Sequence, residues 1–156
     1  MAEKNIDHKA LNDIRISDLL EDTRRFTPET IGPDATLKEA AAAMVKSRSR
    51  KVYVVDAKKC LLGTITLETL LRHAGYTLGV RKTGIGSFFK MLSDIGDEKA
   101  SQAMVESVKI SPDELLVNAA KLMVDNHLND LPIVGPKNEL LGELDGIEII
   151  KLASKL

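Results

Sequence analysis

The chain contains one folding unit twice. Residues Ile31–Arg72 align without a gap onto Ile110–Lys151, an offset of 79, with thirteen identities in 42 positions. The identical pairs include Pro33/Pro112, Asp34/Asp113, Leu37/Leu116, Ala40/Ala119, Met44/Met123, Val45/Val124 and Gly63/Gly142. Apolar, turn and glycine positions persist together, as expected when a structural unit has been duplicated. Such a repeat constrains the architecture more than any local propensity does.

Each copy predicts the same elements. A short apolar stretch (Thr30-Ile31; Val108–Ile110) meets a Pro-Asp turn, which favours helix entry. Leu37, Ala40, Ala41, Met44 and Val45 then fall at helical spacing, as do Leu116, Ala119, Ala120, Met123 and Val124. A β-branched run (Val52–Val55; Leu131–Val134), a polar turn and a second strand (Leu61–Ile65; Leu140–Leu144) follow. A closing helix ends each copy, around Leu67–Arg72 and Gly146–Ala153. The order is β-α-β-β-α, twice, an α/β (α+β) fold. A unit of roughly 45 residues buries only a modest core. The copies are therefore expected to pack sheet to sheet with pseudo-two-fold symmetry, leaving two related clefts where ligands favour binding. Along the chain this divides into an N-terminal extension (1–15), repeat one (16–73), a linker with an amphipathic helix (74–99) and repeat two (100–156).

Composition narrows the function. Aromatics make up 3% and tryptophan is absent, so the cores must be aliphatic. A net charge of −1 argues against general nucleic-acid or anionic-membrane binding, both of which need a basic excess. A single cysteine, Cys60, fits a reducing compartment. The N-terminal MAEKNIDHKAL has no apolar signal region, and no apolar run approaches the ~18 residues of a membrane span. A cytoplasmic protein is expected. Catalysis is not: His8, His73 and His127 lack metal-ligand spacing, and Cys60 has no local histidine.

The pattern Pro-Asp-x-x-Leu-x-x-Ala-x-x-x-Met, a Val-rich strand and then Leu-Leu-Gly resembles the CBS domain (cystathionine β-synthase-type repeat). Two in tandem resemble a CBS pair, or Bateman module, over about Ile16 to Lys151. The resemblance implies the fold above, frequent homodimers, regulation of a partner protein, and adenosyl ligands in the inter-repeat clefts. Such ligands include AMP, ADP, ATP, S-adenosylmethionine, NAD-type cofactors and cyclic dinucleotides. It leaves open a dimerisation or protein-interaction module whose clefts bind nothing.

The family's signature Gly-x-x-[Ser/Thr]-x-x-Asp sets a hydroxyl at a helix N-terminus for phosphate, where free N–H groups and the dipole favour an anion. Its aspartate takes ribose hydroxyls. In copy one Thr66 matches the hydroxyl and Thr69 stands for the aspartate. In copy two Asp145 replaces the hydroxyl and Glu148 the aspartate. Neither copy keeps the full motif. Thr66 and Asp145 equally suit an N-cap, and Asp145 with Glu148 a capping box. By the same resemblance the adenine positions are Ile31, Val52 and Tyr53 in copy one, and Ile110, Leu131 and Pro132 in copy two. Before the β-branched strand, Lys46-Ser47-Arg48-Ser49-Arg50-Lys51 faces Asp125-Asn126-His127-Leu128-Asn129-Asp130 across the repeat. Arg50 and Lys51 are candidate phosphate contacts; a solvated helix end is the plainer reading. A phosphate-bearing ligand is thus expected to prefer copy one.

Outside the repeat, Ile16–Leu20 matches Ala100–Met104 as a lead-in to each copy. Copy one carries an insertion, Glu21–Pro28, with Arg24, Arg25 and Phe26. In the linker, Ile85, Phe88, Phe89, Leu92 and Ile95 fall at helical spacing. Thr83–Ser87 is a weak glycine-rich pattern beside Arg81 and Lys82.

Overall fold

A computed structural model describes residues 11–23, 27–77 and 96–154. The expected linker helix at 85–95, the Thr83–Ser87 pattern, Arg24–Phe26 and His8 lie outside the described residues. A 3-10 turn (Leu11–Asp13) leads into α1 (Ile16–Thr23). There follow β1 (Thr30–Ile31), α2 (Leu37–Ser47), β2 (Lys51–Val55), β3 (Leu61–Thr66) and α3 (Leu67–Thr77). Then come α4 (Ala100–Ala103), α5 (Leu116–Asp125), β4 (Asp130–Val134), β5 (Leu140–Asp145) and α6 (Gly146–Ser154). The mixed α/β character and the order of elements agree with the sequence reading.

The chain forms two compact units. The first, Glu29–Ser107, holds repeat one. The second joins Met1–Pro28 to Val108–Leu156 and holds repeat two.

In the first unit the sheet order is β1-β2-β3. β1 runs parallel to β2, and β2 antiparallel to β3 with Val52 opposite Ile65 and Tyr53 opposite Thr64. Val105 adds one more rung, exchanging both backbone hydrogen bonds with Thr64 at 2.9 Å. Alternate strand residues point to opposite faces. Val52, Val54 and Ile65 therefore share one side and bury against Leu37, Ala40 and Met44 of α2, Leu70 of α3, and Ala100 and Ala103 of α4. Helix α2 starts on a reciprocal capping box: Thr36 Oγ1 accepts the Glu39 N–H at 3.2 Å, and the Glu39 carboxylate accepts the Thr36 N–H at 2.7 Å.

The second unit repeats this plan. β4 and β5 form the hairpin, and Ile110 bridges parallel to Ile133 where β1 would lie. Leu131, Ile133 and Leu144 pack with Leu116, Ala119 and Met123 and with Ile14, Ile16 and Leu19. Even irregularities recur at the offset of 79. Both hairpins shift register at matched places, Val54/Val55 and Ile133/Val134. Among the described residues, the non-glycine residues with positive φ are two repeat pairs, Arg48/His127 and Lys59/Asn138.

The lead-in segments behave in a way that sequence order does not announce. Each docks on the other repeat. The Leu37 N–H, which a helix start leaves without an internal partner, donates to the Glu98 carbonyl at 2.9 Å. Ala100 and Ser101 N–H groups donate back to the Ala35 and Pro33 carbonyls at 2.7 and 3.0 Å. In the second unit the same three bonds run from Leu116 to Ile14, Ile16 to Glu114 and Ser17 to Pro112, at 2.8, 2.9 and 2.8 Å. The basic residue before each lead-in helix also reaches the Pro-Asp turn. Lys99 Nζ pairs with the Asp34 carboxylate at 2.7 Å, and Arg15 donates to the Asp113 carbonyl. Thus Ile16–Leu20 and Ala100–Met104 do match, but each completes the unit of the repeat that it does not precede in the chain. Gly63 shows how closely the lead-in runs: a Cβ there would lie 2.9 Å from the Val105 carbonyl oxygen and from the Met104 side chain.

Candidate functional site

The strand faces turned away from the helices carry the polar chemistry. In the first unit this face holds Lys51 and Tyr53 of β2 and Thr64 and Thr66 of β3, by the alternation that sends Val52, Val54 and Ile65 to the core. Tyr53 is buried, 1% exposed, and the Lys51 ammonium lies 4.9 Å from its ring centroid. That is within cation–π range. The Thr64 hydroxyl is in hydrogen-bond contact with the Ser107 hydroxyl, which arrives on the lead-in edge beside Val105.

Thr66 and Thr69 form a closed pair at the start of α3. Thr66 Oγ1 accepts the Thr69 N–H at 3.1 Å, and Thr69 Oγ1 accepts the Thr66 N–H at 3.3 Å. The two oxygens are 3.0 Å apart. Two hydroxyl protons serve one O···O contact, so one proton is left to donate elsewhere. Thr69 is 7% exposed and Thr66 half-buried, so Thr66 is the more reachable residue of the pair. The Leu67 N–H is occupied by the Arg50 carbonyl at 2.8 Å, which ties the basic turn to the helix start. Arg50 itself is exposed and Lys51 half-buried. The site is thus a row of hydroxyl donors beside a cation, suited to an anionic, hydroxyl-bearing ligand.

The second unit puts different chemistry on the same frame. Its matched face carries Asp130 and Pro132 of β4 and Glu143 and Asp145 of β5. Asp130 sits directly opposite Asp145. The Asp145 carboxylate accepts the Ile147 N–H at 2.9 Å, and Glu148 pairs with Lys151 at 2.9 Å. Asp145 therefore caps α6 through Ile147, while Glu148 turns to a lysine. Carboxylates at this helix start repel a phosphate.

The adenine positions divide by face. Val52, Ile110 and Leu131 send their side chains into the helix-side cores, and Ile31 is half-buried against the first. Tyr53 and Pro132 lie on the opposite face, both buried. Thr64 and Ser107 escaped the sequence reading. Strand alternation from Thr66 points to Thr64. Nothing local points to Ser107, because the segment that carries it leads into the other repeat. Among the described residues, no group of three or more His, Cys, Asp and Glu side chains is placed to hold a metal ion, and no helix is long and apolar enough to cross a membrane.

The sequence profile of the CBS domain matches residues 16–76 and 100–155. The chain belongs to the CBS-domain family. Solved structures of the fold agree. A CBS domain-containing protein from Thermotoga maritima is 26% identical, with a TM-score of 0.69 over 92% of this chain and 96% of its own. One from Bacillus anthracis is 20% identical, with a TM-score of 0.72 over 93% and 96%. A CBS domain protein from Pyrobaculum aerophilum, complexed with AMP, is 19% identical, with a TM-score of 0.66 over 90% and 99%. A search of curated proteins finds no match to the chain. The tandem CBS pair expected from the repeat is what these likenesses describe, and the CBS profile counts each lead-in with the repeat it precedes.

Proposed function

We propose that this CBS pair is a regulatory, non-catalytic module whose first unit holds an adenosyl ligand (AMP, ADP, ATP, S-adenosylmethionine or an NAD-type compound) and alters a partner protein in response. The observation that carries this reading is the Thr66–Thr69 pair at the start of α3, with the half-buried Thr66 on the strand face it shares with Lys51. The AMP complex of the Pyrobaculum aerophilum CBS protein supports the ligand class. Thr69 in the ribose position offers a neutral hydroxyl where the family pattern has a carboxylate, so the ribose contact is weaker and the phosphate end contributes more of the affinity.

A thermal-shift series with these ligands tests the proposal. A ligand that binds only the folded chain, at a hundred times its dissociation constant, stabilises by about 2.7 kcal/mol. The expected result is a shift with a phosphate-bearing adenosyl ligand that is reduced in Thr66→Ala and retained in Thr66→Ser. No shift with any of them sinks the sensor reading, and an unchanged affinity in Thr66→Ala sinks the role of Thr66.

A second reading, a module that works by association, is favoured by a separate observation. Exposed large apolar residues recur at repeat-matched positions, Val45/Val124, Leu62/Leu141 and Leu71/Ile150. Single exposed apolar residues need no explanation, but the same ones retained in both copies point to a contact surface and a homodimer.

A further inference from the structure

Val105 and Ile110 are near neighbours in the chain, yet they belong to different sheets. Val105 exchanges both backbone hydrogen bonds with Thr64 at 2.9 Å and so edges β3 of the first unit. Ile110 bridges parallel to Ile133 of β4. Its N–H donates to the Pro132 carbonyl at 3.0 Å, and its carbonyl accepts the Val134 N–H at 2.9 Å. The division between the units falls between these two rungs, after Ser107. The segment is tied again on each side of that division. The Ser107 hydroxyl is in hydrogen-bond contact with Thr64 on the polar face of the first unit. Val108 packs on the second core, and Lys109 Nζ donates to the Asn138 side chain at 2.6 Å. From Ser107 to Ile110 the chain can extend by about 11 Å at most. It has little slack with an anchor at either end.

We propose that Val105–Ile110 is a strap shared by the two sheets, through which occupancy of the first unit's polar face is felt in the sheet of the second. A ligand on that face meets Thr64 and Ser107, and holding them holds Val105 against β3. A strap ordered at one end has less freedom at the other, so the Ile110 rung opens less often. By the same linkage, loosening either rung loosens its neighbour. The ligand as signal rests on the adenosyl reading above, whereas the coupling of the two rungs does not.

Amide hydrogen exchange in the full, ligand-free chain tests the coupling. Ser107→Ala removes the hydroxyl contact without adding bulk. Gly63→Ala sets a methyl 2.9 Å from the Val105 carbonyl oxygen and the Met104 side chain, and so pushes the strap off β3. Each variant is expected to lower the protection of the Thr64 and Val105 N–H groups. Each should also lower that of the Ile110 and Val134 N–H groups, by about two- to tenfold, with the other β4–β5 amides unchanged. Two glycines inserted between Ser107 and Val108 should retain the first loss and abolish the second. The proposal is overturned if Ser107→Ala leaves Ile110 and Val134 as protected as before, or if their loss persists with the glycine insertion. Should Gly63→Ala fail to fold, Ser107→Ala still decides. Saturating AMP should raise the protection of Ile110 and Val134 in the unmodified chain. The glycine insertion should remove that gain while the thermal shift with AMP remains. A thermal shift with no added protection at Ile110 and Val134 overturns the signalling role. No thermal shift at all defeats the ligand reading instead, and the ligand-free comparison still decides the strap.

Discussion

The two units have nearly the same backbone and opposite polar faces. On the helix side the strand residues correspond in kind: Val52 with Leu131, Val54 with Ile133, Ile65 with Leu144. On the other side Lys51 corresponds to Asp130, Thr64 to Glu143, Thr66 to Asp145 and Thr69 to Glu148. Each replacement makes the second unit more acidic. Strand alternation makes this divergence possible. One face specifies burial while its neighbours, one residue away, are free to change charge without moving the core. A duplicated unit can thereby retain its fold while its two copies acquire different ligand chemistry.

The largest effects should fall on what the units share. Ile65→Ala and Leu144→Ala each remove a fully buried side chain from matched places and are expected to cost about 2–5 kcal/mol, read by urea unfolding. Similar losses would confirm that the helix-side faces are equivalent. A near-zero loss for one of them would show that its core has other support, and the correspondence would break there.

Next in size is a change that gives the first face the second unit's residue. Thr66→Asp retains an N-cap acceptor, since aspartate caps as well as threonine or better, so the fold is expected to persist. It also puts a carboxylate where the proposed ligand brings phosphate. The roughly 2.7 kcal/mol of stabilisation expected from saturating AMP should fall towards zero. Undiminished stabilisation would mean that the polar faces do not differ in ligand preference in the way their charges indicate.

The repeat made most of the fold legible. Offset, helical spacing and β-branched runs located both helix–strand–strand–helix sequences to within a few residues, because burial imposes those periods. The exchange of lead-in segments was not legible. Glu98 caps Leu37 from far along the chain, and local patterns carry no record of which copy a short segment will complete. The site was partly legible for the same reason. Thr66, Thr69, Asp145 and Glu148 stand in a local motif at a helix start, whereas Ser107 meets Thr64 only because Val105 pairs with β3. Val52 and Leu131 illustrate another limit: the motif names the strand position, and only the register decides which face the side chain takes.

A smaller difference lies at the starts of the matched helices. Thr36 caps α2 with Glu39, whereas Leu115 at the same place on α5 makes no side-chain cap. Thr36→Ala is expected to destabilise the first unit by about 1 kcal/mol. Leu115→Ala removes no cap, so any loss there reports packing alone. Equal losses of cap-dependent amide protection in α2 and α5 would show that the box contributes little.

The smallest effect is one of pH, and it too separates the units. Backbone and hydroxyl hydrogen bonds from Thr36 hold the Glu39 carboxyl below its ordinary value. The hydrogen bond and charge of Lys99 do the same for Asp34. A carboxyl whose folded value is depressed stabilises the native state above its unfolded value, and loses that contribution as pH falls through the folded one. Acidification below about 4 should therefore loosen the start of α2 and the Lys99 contact. At the matched cap of α5, Leu115 and Asn118 have no proton to gain. Carboxyl-carbon NMR titration reads this directly, and in Thr36→Ala the Glu39 midpoint should move up towards the ordinary glutamate range. A midpoint unchanged by that substitution would mean that the box does not set the charge of Glu39, and the two helix starts would then differ in sequence but not in electrostatics.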